Sequence, residues 1–191
     1  ASITPVQWEL SISLSSRYRE VECALGVHPW YIREEFFRDL PLLRNARGMG
    51  AVAIGEIGLD RKTEAVDFGL QREFFEEQLA IARETGLPAV LHCRGAFNEL
   101  IQSVRRIGGL PAGGVIHSFS GSPELAEELS SLGLSFSMGG TLTFRNSARR
   151  AAVMALTVWS GVGAAPKKVS VSQYSKIISA HAASARPTRA S

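Results

Sequence analysis

Four residues whose side chains bind metals or move protons lie at matching places in the chain, each at the end of a short apolar run or within one: His28, Glu56, His92 and His117. Imidazole nitrogens and carboxylate oxygens together form a ligand set for Zn²⁺ or a similar divalent ion. If the apolar runs are parallel strands, their carboxyl ends meet on one face, where barrel enzymes carry their active sites. The spacing therefore predicts a metal centre built from successive strand ends.

Glu56 interrupts the apolar stretch "AIGEIGLD" at residues 53–60. A carboxylate buried without a partner is costly, so it shifts its pKa, pairs with another group or binds a metal. The histidines at the other strand ends are the candidate partners. Two roles stay open for Asp60 at the end of the stretch: it holds a ligating histidine or receives a proton, or it caps the loop.

Residues near the strand ends predict contacts with a phosphate. Arg94 can bind phosphate through two nitrogens, or it is an ordinary surface group at a helix start. Ser120 belongs to the polar turn 118–121, where a phosphate can approach backbone N–H groups. Trp30 either stacks on a nucleobase or packs in the core.

Five strand-like runs, each followed by a helical pattern or a weaker one, must position these residues. The runs lie at 21–29, 50–60, 87–94, 113–121 and 134–144. Alternating strands and helices predict an α/β fold with a parallel sheet and right-handed crossovers. A complete (β/α)₈ TIM barrel takes about 250 residues, so the chain predicts an incomplete barrel of about five units.

The carboxyl-terminal part of the chain has a different composition. From residue 145 onward there are eight Lys and Arg and no Asp or Glu, whereas residues 1–144 carry 13 basic and 18 acidic side chains. We expect a barrel domain at 1–158 and a disordered basic tail at 159–191. Such a tail also favours an alternative function, a non-catalytic fragment that binds nucleic acid or a partner.

The remaining composition bears on the cellular compartment. No apolar run is long enough to cross a bilayer, so no membrane association is expected. The start "ASITPVQWEL" lacks the features of a signal peptide, and two cysteines are compatible with a reducing compartment. We expect a cytoplasmic protein, or a nuclear one in a eukaryote. Since there is no initiator Met, a preceding segment with a targeting signal stays an open alternative.

Four motifs in order resemble the TatD-type metal-dependent deoxyribonucleases: "GVHPW" at 26–30, "GEIGLD" at 55–60, "LHCR" at 91–94 and "HSFSG" at 117–121. The resemblance implies a (β/α)₈ barrel with a two-metal site that hydrolyses phosphodiesters in DNA. It implies that Glu56 bridges the metals and that His92 and His117 are ligands. His28 corresponds to a loop histidine that contacts the substrate.

The chain departs from the family pattern at both ends. By the resemblance, its five units correspond to the third to seventh strands, and the first strand, which carries a His-x-His pair, would precede Ala1. The aspartate expected on the eighth strand has no counterpart after residue 160. We therefore expect ligands for one ion, slow or no turnover, and open sheet edges that favour self-association. A truncated product and a sheet completed by a second chain are both compatible with this pattern.

The sequence thus predicts a metal-dependent hydrolase that cleaves DNA, with Glu56 as its catalytic residue. His28, Arg94 and Ser120 are its predicted substrate contacts. The cofactor is a divalent ion, Zn²⁺, Mg²⁺ or Mn²⁺, and the sequence does not choose among them. A further alternative keeps the metal site but acts on a small amide or lactone, as related barrels do.

Overall fold

The computed structural model describes residues 1–137, and the predicted end of the fifth strand, the helical pattern after it and the basic tail lie outside them. Five strands form one sheet in the order β1-β2-β3-β4-β5, and every neighbouring pair is parallel. The strands are β1 (Cys23–Leu25), β2 (Ala51–Asp60), β3 (Ala89–Arg94), β4 (Gly114–Ile116) and β5 (Leu134–Phe136). The predicted parallel α/β sheet is confirmed.

In residues 1–137, four α-helices flank the sheet, the first before β1 and the others after β2, β3 and β4. They are α1 (Trp8–Arg17), α2 (Phe68–Thr85), α3 (Phe97–Arg106) and α4 (Pro123–Ser131). The Asp67 carboxylate accepts a hydrogen bond from the N–H of Leu70 at the start of α2, and Gly86 ends that helix in the left-handed conformation. Among the helices of residues 1–137, none has the length and apolar character needed to span a membrane.

The segment with a helical pattern after β1 is a 3₁₀ helix and not an α-helix. Residues Glu34–Asn45 form a 3₁₀ helix that contains Pro41. Proline has no N–H to donate and its ring clashes with the preceding turn of an α-helix. The segment therefore adopts the more tightly wound 3₁₀ conformation. Phe36, Leu40 and Leu43 are buried by this helix, whereas Phe37 stays 39% exposed.

The first three residues lie beside β1. The N–H of Ser2 donates to the carbonyl of Ala24 at 2.9 Å, and the N–H of His28 donates to the carbonyl of Ile3 at 3.0 Å. The carbonyl of Ser2 also accepts the N–H of Glu56 at 3.2 Å. On its other side, the chain after β1 packs against β2, which requires a glycine at Gly26, where a Cβ would come within 2.8 Å of the backbone of Gly55. The segment therefore fixes the backbone at the carboxylate of β2.

Candidate metal centre

Two imidazoles and one carboxylate come together from the loop after β1 (His28), the middle of β2 (Glu56) and the second half of β3 (His92). One ligand atom each from His28, Glu56 and His92 lies within 4.8 Å of the others. Oε1 of Glu56 is 3.7 Å from Nε2 of His28 and 3.5 Å from Nδ1 of His92. Glu56 is 4% exposed and His28 is 5% exposed. The structure therefore brings these three predicted site residues together, although Glu56 lies within β2 and not at its end.

A cavity of about 440 Å³ opens above this group. Its walls include the six residues predicted as metal ligands or substrate contacts, together with three neighbours. The lining residues are His28, Trp30, Glu56, His92, Cys93, Arg94, His117, Ser118 and Ser120. Trp30 is 41% exposed at this wall, which excludes the core-packing alternative. Burial raises the pKa of the Cys93 thiol to about 12, so this thiol is not a nucleophile at neutral pH.

His117 lines the cavity but does not belong to the close group. Among residues 1–137, the ligand atoms within 4.8 Å of one another belong to Glu56 and the other two site histidines. The N–H of His117 donates to the carbonyl of Leu91 at 2.8 Å, and its Nε2 lies 3.1 Å from Oγ of Ser118. Ser118 has a φ of 51°, a left-handed conformation that is uncommon for serine. The ligand role of His117 stays a prediction.

The neighbouring histidines hold Glu56 in its charged form. Burial by itself raises the pKa of this carboxyl, but the hydrogen bond from His92 and the charges of His28, His117 and His92 outweigh burial and lower the pKa to about 2. Burial lowers the pKa of His92, whereas its bonds to Glu56 and Asp60 raise it above the usual value overall. The centre therefore presents a carboxylate at neutral pH.

Asp60 fulfils both of the roles that the sequence left open. Its Oδ2 lies 3.0 Å from Nε2 of His92, so it holds the histidine. Its Oδ1 accepts the N–H of Lys62 at 2.8 Å, so it also caps the loop. Burial raises the pKa of Asp60, but the bonds from His92, Trp30 and Lys62 lower it overall. A carboxylate that orients a histidine ligand in this way is common at metal sites.

Two glutamines on α2 fix the loops of the site, and their function was not predicted from the sequence. Gln78 accepts the N–H of Val27 at 2.7 Å and donates to the carbonyl of the same residue at 3.2 Å. Gln71 accepts the N–H of Asp60 at 2.9 Å. Both side chains are at most 1% exposed. A polar residue on the buried face of a helix was the available signal, because buried amides require partners.

The donor set fits a divalent cation. One buried carboxylate and imidazole nitrogens within 4.8 Å provide nitrogen and oxygen donors of the kind that Zn²⁺ binds, and Asp60 orients one imidazole from behind. Such donors also accept Mn²⁺, so they do not specify the ion. Residues that could hold the ion therefore lie on β2 (Glu56) and β3 (His92), with His28 beside them in the loop after β1.

A parallel α/β sheet that carries carboxylate and imidazole donors on neighbouring strands is the arrangement expected for metal-dependent hydrolases with TIM-barrel folds. Comparison with known proteins gives the family. A family model described as "TatD related DNase" matches residues 1–159. The chain belongs to this TatD-related family, which the sequence motifs had indicated.

Curated relatives have names of the same kind. The metal-dependent hydrolase YjjV of Escherichia coli is 35% identical over 147 residues, which cover 75% of this chain and 56% of YjjV. The metal-dependent hydrolase YabD of Bacillus subtilis is 31% identical over 138 residues, which cover 72% of this chain and 54% of YabD. The predicted divalent metal cofactor agrees with these names, which leave the ion unidentified.

Solved structures confirm the fold class. The crystal structure of Escherichia coli YjjV, a TatD homologue, superimposes with a TM-score of 0.71 and 32% identity, covering 80% of this chain and 60% of that one. A TatD-family hydrolase from Entamoeba histolytica gives a TM-score of 0.61 and 25% identity, with 72% and 49% covered. The fold is therefore of the TIM-barrel type, and the chain spans about half the length of its curated relatives.

Proposed function

We propose that this protein is a metal-dependent hydrolase that cleaves phosphodiester bonds in DNA and so acts in DNA catabolism. The observation that supports this is one cavity that joins the buried group of His28, Glu56 and His92 to the exposed guanidinium of Arg94. A guanidinium beside a metal centre suits a substrate that carries phosphate. The DNase in the family description points to the same substrate.

In this proposal Glu56, His92 and His117 hold the ion. When bound, a divalent ion supplies Lewis-acid stabilisation of the charge that develops on the phosphoryl oxygens. Glu56 contributes a carboxylate that stays ionised, since its pKa is about 2. Asp60 keeps the ring of His92 in position through its bond to Nε2. These residues are therefore ready before substrate arrives, which is the condition for effective electrostatic catalysis.

The other residues of the cavity bind the substrate in this proposal. Arg94 carries a planar set of donors that matches two phosphate oxygens, and Ser120 adds a hydroxyl from the turn after β4. His28 contacts the substrate at the floor of the cavity, beside Glu56. Together they hold the phosphate over the carboxylate and the ligand histidines.

A comparison of Glu56→Gln with Glu77→Gln tests the proposal. Both variants replace a carboxylate by an amide, but Glu77 lies on the exposed side of α2 in an ion pair with Arg44. Each protein is stripped with chelator, reloaded with Zn²⁺, Mg²⁺ or Mn²⁺, analysed for bound metal and incubated with an end-labelled DNA oligonucleotide. We expect Glu56→Gln to lose metal and to lower cleavage at least about 100-fold, and Glu77→Gln to match the wild type.

The outcomes separate the alternatives. Equal metal content or equal cleavage in Glu56→Gln and the wild type contradicts the proposal. The amidohydrolase alternative is supported if Glu56→Gln loses metal, no metal-loaded protein cleaves DNA, and the metal-loaded wild type hydrolyses a small amide or lactone. DNA binding that survives chelator and is abolished by deleting residues 160–191 supports the non-catalytic alternative.

A further inference from the structure

Trp30 contacts both imidazoles of the centre by different routes. Its backbone N–H donates to Nδ1 of His28 at 3.2 Å. Its indole Nε1–H donates to Oδ2 of Asp60 at 2.7 Å, the same oxygen that lies 3.0 Å from Nε2 of His92. The indole ring also lies edge-on to both imidazoles, with centroids 5.1 and 5.7 Å away. One half-exposed residue therefore orients both rings.

The two routes leave the imidazoles with different nitrogens facing Glu56. A backbone N–H can only donate, so Nδ1 of His28 is an acceptor and the proton of the neutral ring is on Nε2. That Nε2–H faces Oε1 of Glu56 at 3.7 Å. His28 is thus a hydrogen-bond donor toward the cavity, since the lone pair of its Nδ1 already accepts the N–H of Trp30.

His92 has the opposite arrangement. A carboxylate can only accept, so Asp60 requires the proton on Nε2 of His92. The neutral ring then has its lone pair on Nδ1, the nitrogen 3.5 Å from Oε1 of Glu56, so a metal ion takes the place of the proton that the charged ring donates to this carboxylate. A lone pair is what a metal ligand supplies. His92 is therefore set up as a ligand and His28 as a donor, although both lie at similar distances from Glu56.

We propose that the side chain of Trp30 positions the metal ligand: through Asp60 its indole N–H makes His92 a ligand, while the backbone N–H at position 30, which any residue but proline supplies, makes His28 a donor. This inference rests on the proposed function in one respect, that His92 binds a catalytic metal ion. The positions of the protons on the two rings can be tested in the metal-free protein. The indole N–H binds the same oxygen of Asp60 as His92 does, so its removal weakens the hold on that oxygen while the N–H of Lys62 still binds the other one.

Trp30→Phe tests the inference, because phenylalanine keeps an aromatic ring and removes the indole donor. The matched control is Trp8→Phe, which removes an indole N–H that donates to the carbonyl of Gly26 at 3.1 Å. In ¹⁵N-labelled metal-free protein, the ring-nitrogen signals of His92 should change in Trp30→Phe and stay unchanged in Trp8→Phe. Zn²⁺ affinity, measured by calorimetry, should fall about tenfold in Trp30→Phe only.

A double-mutant cycle separates positioning from general packing. If Trp30 acts through Asp60, Trp30→Phe should have no further effect on the His92 signals or on Zn²⁺ affinity in an Asp60→Ala background. Unchanged His92 signals in Trp30→Phe overturn the inference, and so does an equal effect of Trp8→Phe. A wild-type protein that binds no metal contradicts the proposed function instead, and the metal-free spectra still decide the role of Trp30.

Discussion

The carbonyl oxygen of His92 occupies the space beside Gly58, where an added Cβ would approach it to 1.9 Å. The two residues are register partners on β2 and β3. Gly58 also has a φ of 153°, which side-chain-bearing residues rarely adopt. The strand that carries Glu56 can therefore approach the strand that carries His92 only because position 58 has no side chain.

Gly58→Ala should destabilise the protein by about 3 kcal/mol or more, because the new methyl group forces β2 and β3 apart. Urea denaturation followed by circular dichroism measures this change. Gly86→Ala is the matched control, since Gly86 has a φ of 64° and open space around it. It should cost only about 1 kcal/mol for the backbone conformation. An equal decrease in the free energy of unfolding in the two variants would show that the contact between position 58 and the carbonyl of His92 does not affect stability.

Gln78→Met should lower the free energy of unfolding by about 2 kcal/mol or more, because it leaves both backbone groups of Val27 buried without partners. It should also weaken metal binding, since Val27 precedes His28. Urea denaturation and calorimetric metal titration measure the two effects. Gln102→Met, on the exposed side of α3, should change stability by no more than about 0.5 kcal/mol. A Gln78→Met protein as stable as this control would contradict the role of the amide.

The ionisation of Glu56 predicts a pH dependence of stability in the metal-free protein. Its pKa falls from 4.5 to about 2 on folding, so its charged form stabilises the protein above pH 4.5, and that contribution disappears as the pH falls toward 2. The free energy of unfolding should therefore decrease more steeply over this interval in the wild type than in Glu56→Gln. Urea denaturation at a series of pH values measures both slopes, and parallel curves would contradict the shift.

Arg94→Gln tests the proposed phosphate contact. Because Arg94 is exposed at the cavity wall, its loss should leave the unfolding temperature unchanged and raise KM for a DNA oligonucleotide about tenfold or more. Arg105→Gln is the control, since it removes an exposed arginine that pairs with Glu128 on α4. Both variants require kinetics over a range of DNA concentrations. The same KM in the two variants would remove Arg94 from the substrate site.

The positions of the site residues were predictable from sequence because strand ends can be located by the change from apolar to polar residues. Parallel strands all end on the same face, so four polar residues at strand ends must converge. Which of these residues form the group within 4.8 Å, namely His28, Glu56 and His92, was not predictable. Whether His28 or His117 lies nearer to Glu56 depends on side-chain conformations, and the 3₁₀ turn at Pro29–Tyr31 that positions His28 leaves little trace in the sequence.

Helices were less predictable than strands. The serine-rich helix α1 exposes Val6, Leu10 and Leu14 around its start and outer face, so its apolar pattern does not identify the buried side. The 3₁₀ helix at Glu34–Asn45 has helical spacing of its apolar residues, but Pro41 changes its hydrogen bonding. The backbone groups of Val27 and Asp60 that Gln78 and Gln71 bind lie outside α2, and the helical pattern of a single sequence does not indicate such pairs.

The three groups nearest to one another come from a single uninterrupted piece of chain, from His28 to His92, and the residues that orient them, Trp30, Asp60, Gln71 and Gln78, lie within the same piece. Insertions or exchanges elsewhere in a gene leave the spacing of these groups intact. This close group could therefore be grafted onto another scaffold as one segment of chain, provided that residues 1–3, which bind the backbone of His28 and Glu56, accompany it.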